Sequence, residues 1–377
     1  MVKDTLFYED SYINTFKATV IDCIIDNNKI KLVLSNTAFY PEGGGQPSDI
    51  GTINDARVIH VEEKNGIIYH IVDKEIKKGT EVIGNLDFNH RFWTMQNHSG
   101  EHIVSGITCK NFNATNVGFH IGTDFTTLDF NKELNKDDIS FIEKEANEAI
   151  YKNIEIKIRI VSNEEAQNIE YRSKIDLKED VRLVEIPGYD ICACCGMHVK
   201  KTGEIGLIKI VRFEKYKGGT RVYMLAGRKA LEDYNMKQEA IYNASHLLSS
   251  KVENVPDAIE SLLGEIEKYK IDISKLKNKL FEYDVKSIKK EKNNIIEYDD
   301  LDFNDMKKLA ELLIDKADNI YGVVSNNKFL LLSKEESLKE KLNRLKEKMP
   351  IKGGGRESMI QGQFEGNSKE FIEFFRS

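Results

Sequence analysis

The chain is poor in features that break regular structure. Of 377 residues only 5 are proline, so extended Pro-rich linkers and low-complexity spacers are absent. No apolar run approaches the roughly 20 residues that a bilayer-crossing helix needs, and no membrane partner is expected. The start, MVKDTLFYEDSY, lacks a basic segment followed by an apolar core. A secretory leader is therefore not expected, and the cytoplasm is the default location. Positive charge is not in excess either. With 55 Lys+Arg against 62 Asp+Glu the formal net charge is -7, which argues against a non-specific coat of nucleic acid. The 5 cysteines are an odd number, and Cys192, Cys194 and Cys195 fall within four residues. In a leaderless chain that clustering speaks for thiolate metal ligands over disulfides.

What is present fits a water-soluble α+β chain of several domains, with 40% hydrophobic and 31% charged residues. Residues 1–90 carry short β-branched runs (KIKLVLS, RVIHVEE, GIIYHIVD) separated by turn signals, as in a small β-barrel. Residues 91–235 mix patterns. A helical stretch around Phe92–Gly106 carries histidines on its inner face, and DDISFIEKEANEAIYKN reads as an amphipathic helix capped by Asp137 or Asp138. IEIKIRIVS, VRLVEIPG, IGLIKIVRFEKYKGG and TRVYMLAG suggest a second sheet. Residues 236–295 are helical. Ile259, Leu262, Ile266, Tyr269, Ile273, Leu276, Leu280 and Tyr283 form a heptad seam that needs the preceding helix or a second subunit, unless the helix is buried within one domain. Residues 296–377 read as a small α/β unit closed by a basic helix and a Gly-rich loop, KGGGRESMIQGQFEG. From Lys339 to Arg356 there are seven Lys/Arg against two Glu, a contact region or a solvated helix face.

His98 and His102 are four apart, and so are Cys194 and His198, with about ninety residues between the pairs. Residues i and i+4 share one helix face, so two imidazoles there can grip one ion. Two pairs give four N/S donors, which suits one tetrahedral Zn²⁺ per chain, built by the fold and not by a linear finger. His98-Ser-Gly-Glu101-His102 also matches the H-x-x-E-H pattern of inverted zinc peptidases, with Glu101 as general base. That reading wants a downstream acidic ligand and fits a Cys/His pair poorly. In FYPEGGGQPSDIG, Gly43, Gly44 and Gly45 allow positive φ and close backbone approach. Thr37, Tyr40, Glu42, Gln46 and Asp49 crowd polar groups around that loop. Gly353, Gly354 and Gly355 could offer backbone N–H groups to phosphates, with Arg356 beside them.

TAFYPEGGGQPSDIG, MQNHSGEHIVSGI and CCGMHVKKTGEIG, in this order, resemble the editing domain of alanyl-tRNA synthetase and its freestanding relatives, the AlaX editing proteins. The tail with IKGGGRESMIQGQFEG resembles the DHHA1 domain, the mark of a long form. No aminoacylation domain precedes these motifs, so a freestanding editing protein is expected. The resemblance implies an ATP-independent hydrolase that deacylates tRNA(Ala) mischarged with Ser, or with Gly. It implies His98, His102, Cys194 and His198 as zinc ligands and the 43–45 glycines at the substrate. It implies Thr37 as the pocket threonine that meets the serine hydroxyl. Gln96, one turn from His98, is a candidate for orienting water or substrate. The tail, with Gly353–Gly355 and Arg356, is expected to bind tRNA, to dimerise with the heptad helix, or both. Cys195 and Met197 replace Gly and Thr of the family's Cys-Gly-Gly-Thr-His, leaving Cys192 and Cys195 as rival thiolates. A zinc-stabilised tRNA-binding module without catalysis is the non-enzyme alternative.

Overall fold

Alternation of Phe16, Ala18 and Val20 toward the interior builds the first and longest barrel strand in the computed structural model, which describes residues 5–26, 28–173 and 180–376. The first four residues, part of the stretch read for a leader, lie outside the described ones. A short helix α1 (Leu6–Glu9) precedes β1 (Thr15–Asp26). With β2 (Lys29–Leu34), β3 (Gly51–Ile53), β4 (Ala56–Lys64), β5 (Ile67–Val72) and β6 (Glu81–Leu86) it forms a closed barrel in the order β1-β2-β5-β4-β3-β6. Closure removes the unpaired edges that a small open sheet would expose. The three runs noted in the sequence are β2, β4 and β5; β1, β3 and β6 complete the circle.

The rest of the first compact unit, Met1–Ala240, surrounds one long helix. It comprises α2 (Phe88–Phe112), β7 (Asn116–Ile121), β8 (Thr126–Phe130), α3 (Lys136–Tyr151), β9 (Lys157–Val161), α4 (Asn163–Ala166), β10 (Val181–Ile186), β11 (Asp190–Ala193), β12 (Ile208–Tyr216), β13 (Gly219–Ala226) and the start of α5 (Arg228–Leu247). In place of one second sheet there are two, β11-β10-β9 and β12-β13-β8-β7. Helix α2 has no single inner face, because every residue from Thr94 to Thr108 is buried. The cap of α3 is Asn135, not Asp137 or Asp138. Its side chain accepts from the N–H groups of both, while the Asp138 carboxylate accepts from the Asn135 N–H, a capping box. Gly106 lets α2 lie against the start of β11, where a Cβ would come 2.3 Å from the Tyr189 carbonyl oxygen.

The second unit, Ile241–Ser377, begins within α5. It continues through α6 (Val255–Ser287), β14 (Asn294–Glu297), α7 (Phe303–Leu312), β15 (Ile320–Ser325), β16 (Lys328–Ser333), α8 (Leu338–Lys346), β17 (Ile351–Arg356), β18 (Met359–Phe364) and α9 (Ser368–Arg376). The sheet order is β14-β15-β16-β18-β17. Every residue of β15 is buried because both faces are covered. Val324 packs in the cluster with α8 and α9, and Val323 in the cluster with α7 and the end of α6. Two expectations change here. Gly353–Arg356 are not a loop but the edge strand β17, paired from Gly353↔Gly362 to Arg356↔Met359. Glycine permits this pairing: a Cβ on Gly355 would come 2.1 Å from the Met359 carbonyl oxygen. The seam of α6 is also not buried within the domain. Its eight residues run from 41% exposed at Ile266 to 73% at Tyr283, and only Val255, Phe281 and Val285 of this helix are buried.

Inside the barrel His70 is fully buried. Its Nδ1 lies 3.1 Å from the Leu32 carbonyl oxygen and donates to it, so Nε2 accepts from the Thr37 hydroxyl at 2.8 Å. Burial, opposed by the bond to Leu32, lowers its pKa from 6.5 to about 4. The unfolded chain therefore takes up a proton near pH 6.5 that the folded chain refuses until about pH 4. Stability from this group is full above 6.5 and declines as the pH falls. Denaturant titrations at pH 7 and pH 4.5 should show the natural protein losing about 2 to 3 kcal/mol more than a His70→Gln variant. Equal losses would remove His70 from the account.

Candidate metal centre

Helix α2 supplies His98 and His102; the loop after β11 supplies Cys194 and His198. One donor atom from each of the four lies within 4.8 Å of all the others. Cys194 Sγ is 3.3 Å from His98 Nε2. Donors bound tetrahedrally to zinc at about 2.0 to 2.3 Å are separated by about 3.5 Å, so the spacing suits that ion.

The imidazoles are oriented from behind. His98 Nδ1 donates to Gln46 Oε1 at 2.8 Å, and the same oxygen accepts from the Met197 N–H at 3.0 Å. His102 Nδ1 faces Asp190 Oδ2 at 3.0 Å, and Asp190 is gripped by Arg172 at 2.6 and 2.8 Å. His198 Nδ1 meets Ser99 Oγ at 3.1 Å, while Ser99 Oγ accepts from the Val199 N–H. Hydrogen bonds occupy Nδ1 of His98 and His198 and leave their Nε2 for the centre, whereas His102 Nδ1 faces the Asp190 carboxylate without a hydrogen bond among the described residues. His198 Nε2 is buried without a hydrogen-bond partner among the described residues. A buried orphan lone pair is costly, and a cation at the centre would satisfy it. Burial pushes the Cys194 thiol upward, but the charges of His98 and His102 and hydrogen bonding from His102 and His198 bring it well below its usual range. Of the clustered cysteines it is the one whose surroundings favour the thiolate form. Cys192 meets His102 and Asp190 in a second grouping, but burial pushes its thiol up to about 11. Burial also raises the Cys195 thiol. Gly196 is obligatory, since a Cβ there would lie 1.9 Å from His98 Cε1.

The other expected site residues are placed differently. Thr37 is in the barrel, its hydroxyl accepting from the Phe39 N–H at 3.0 Å and donating to His70. Gln96 donates to the carbonyls of Glu204 and Ile205, and its side chain packs where a Cβ on Gly227 would sit. Gly44 (φ +60°) is exposed with open space around it, whereas Gly45 (φ +83°) packs on Phe119, whose ring is 5.0 Å from His98. Gly353–Arg356 belong to the second unit. Glu101 does not resemble a poised base, because its Oε1 is held by Ser105 at 2.6 Å and Asn116 at 2.7 Å. The motifs did not single out Asp190, Arg172, Ser99 or Arg182 as site residues. The buried Arg182 donates to the carbonyls of Cys194 and Gly196, fixing the ligand loop. Only Asp190 left a trace, as a carboxylate four residues before Cys194.

Residues 181–223 match the family described as the threonyl and alanyl tRNA synthetase second additional domain, and residues 3–90 match that of class II (A) tRNA synthetases. The barrel and the segment that carries Cys194 and His198 thus resemble domains found in tRNA synthetases. The chain is 30% identical to the alanyl-tRNA editing protein AlaX-L of Pyrococcus horikoshii, across 98% of this chain and 96% of that one. It is 29% identical to the alanine–tRNA ligase of Methanobrevibacter smithii over 95% of its own length, and 32% to that of Ignicoccus hospitalis over 82%. It spans only 44% and 35% of those ligases. The chain belongs to the AlaX-L family of alanyl-tRNA editing proteins.

Removing the acceptor behind His98 tests the tethering. In a Gln46→Met variant, competition with a chromogenic chelator should show zinc affinity about 10- to 100-fold weaker. Unchanged affinity would mean that Gln46 only packs.

Proposed function

We propose that the protein is a trans-editing hydrolase that deacylates mischarged tRNA(Ala), chiefly Ser-tRNA(Ala) and also Gly-tRNA(Ala), in the cytoplasm. The observation that carries this reading is the convergence of His98, His102, Cys194 and His198, with His98 and His198 hydrogen-bonded through Nδ1 and His102 Nδ1 facing Asp190, in a member of the AlaX-L family. These four residues would hold one Zn²⁺. The ion would supply a fixed cationic centre that orders the site.

An aminoacyl ester is already labile, so the protein's work is to position the ester and water and to favour the oxyanion. The open turn at Gly44 gives backbone access on the side of the loop away from Phe119. Gln96 acts as a positioning residue, holding the 204–205 backbone against α2. Thr37 reads the amino acid. Its proton is committed to His70 and one lone pair to Phe39, leaving one lone pair that can only accept. The hydroxyl of serine can donate to it; the methyl of alanine cannot. Polar groups left unpaired by the wrong substrate are the basis of such discrimination. In the second unit, Arg356 and the outer edge of β17 would meet phosphates of the tRNA body beside the basic helix α8. The exposed seam of α6 would pair with the same helix of a second chain.

Purified protein should release serine from Ser-tRNA(Ala), and glycine from Gly-tRNA(Ala), while leaving Ala-tRNA(Ala) charged. A Cys194→Ala/His198→Ala variant should lose at least about 10²-fold of that rate. Thr37→Val should lower serine release selectively, with zinc content unchanged. Full retention of all three amino acids by zinc-loaded, tRNA-binding protein would leave only the non-catalytic module.

A further inference from the structure

The four-stranded sheet β12-β13-β8-β7 has two unlike faces. Leu128, Phe130, Val222 and Met224 point into the core beside α2 and α3. The opposite face follows from the register. One row runs His120, Thr127, Tyr223, Arg212 across the four strands, and the next runs Gly118, Asp129, Arg221, Glu214. His120 and Arg212 are exposed and Tyr223 is partly so. The Arg212 guanidinium lies 3.9 Å over the Tyr223 ring, and that of Arg221 lies 3.7 Å over Tyr216. Phe125, 39% exposed, meets Tyr223 edge to face at 6.0 Å.

On this face the register sets Arg212 and Arg221 beside Asp129 and Glu214, and the segment that builds β12, β13 and the start of α5 is rich in positive charge. From Ile208 to Lys229 there are seven Lys/Arg against one Glu, in a protein of net charge -7. Ion pairs tie down some of them, such as Arg221 with Asp129 and Lys215 with Glu133. Arg212 is instead held flat on an aromatic ring. Flat guanidinium planes and aromatic rings beside loose cations are the requirements for stacking unpaired bases while tracking a phosphate backbone. The face lies next to the candidate centre. His120 points outward from β7, while its neighbour Phe119 points inward to His98.

We infer that the outer face of this sheet binds a single-stranded RNA segment, with bases stacked on the Arg212–Tyr223 and Arg221–Tyr216 pairs. Taking that segment to be the unpaired end of a tRNA, which crosses the β7 edge to reach the centre, rests on the proposed function. RNA needs both the planes and the charge.

The test uses the full chain and a fluorescently labelled, uncharged single-stranded RNA of about eight nucleotides, within the usual range of such sites. Arg212→Ala/Tyr223→Ala should weaken binding roughly tenfold or more. It should also lower the slope of log affinity against log salt by about 0.7, for one cation removed. Arg212→Lys, which keeps the charge and loses the plane, should restore the salt slope but not the affinity. Melting temperature and zinc content should stay as in the natural protein, and the single Arg212→Ala variant, at an exposed position, guards against misfolding of the double one. With Ser-tRNA(Ala) as substrate, KM should rise and kcat should hold. Unchanged RNA affinity in the double variant would overturn the inference, as would full rescue by lysine. A change in self-association with RNA binding intact would make the face a protein contact and overturn it too. Failure of the natural protein to deacylate, with RNA binding still lost in the variants, would overturn the proposed function and leave the platform standing.

Discussion

A helix buried on every side must find a partner for each polar side chain it carries, and α2 carries many. Within its buried stretch stand Thr94, Gln96, Asn97, His98, Ser99, Glu101, His102, Ser105 and Thr108. An unpaired polar group in such surroundings costs on the order of 1 to 3 kcal/mol, so the surrounding elements are bound to supply donors and acceptors. Each does so from a different part of the chain. Asn97 takes a hydrogen bond from Thr126 of β8, Glu101 takes one from Asn116 of β7, and Gln96 gives to the 204–205 backbone. The barrel and both sheets are thereby keyed to one helix. The centre is the place where this matching leaves donor atoms over: His98 and His198 each have one nitrogen hydrogen-bonded and one left to face the other ligands.

The same constraint explains the Arg91–Asp49 pair. Arg91 is completely buried at the start of α2, its guanidinium shared between the Asp49 carboxylate and the carbonyls of Ser11 and Ala38. Asp49 also accepts from the Tyr40 N–H. A charge pair this deep is costly to desolvate and is secure only because its remaining hydrogen-bonding capacity is filled. Its consequence is geometric. The glycine loop, through Gln46 on one side and Asp49 on the other, is fixed to α2 at both His98 and Arg91. The loop is therefore part of the rigid frame of the centre, and Gly44 is its open point.

The two His/Cys pairs that converge were legible in the sequence because each is a four-residue spacing within a short segment. The residues behind them were not, since a tether can come from anywhere in the fold. Gln46 stands out only as one of several polar residues in its loop, and Ser99 looks like any helix-surface serine. Barrel strands with β-branched runs were readable. β3 is only three residues, and in β6 a glycine, Gly84, stands where the Phe16 ring leaves no room for a Cβ. The tail misled because three glycines usually signal a turn. In β17 they serve close strand pairing instead. The cap of α3 fell two residues before the acidic pair, since Asn135 can receive two backbone N–H groups at once while Asp138 returns the bond.

A net charge of -7 and an RNA partner are compatible because electrostatics is local at cellular ionic strength. The screening length is about 8 Å, so a phosphate lying on one face senses little of the carboxylates on another. What matters is segregation, and the chain has it. The β12–β13 strands with the start of α5 hold seven cations against one Glu, and residues 339–356 hold seven against two. Elsewhere the acidic residues prevail and repel RNA that would settle without register. Non-specific binding scales with the number of phosphates neutralised, so it is penalised first.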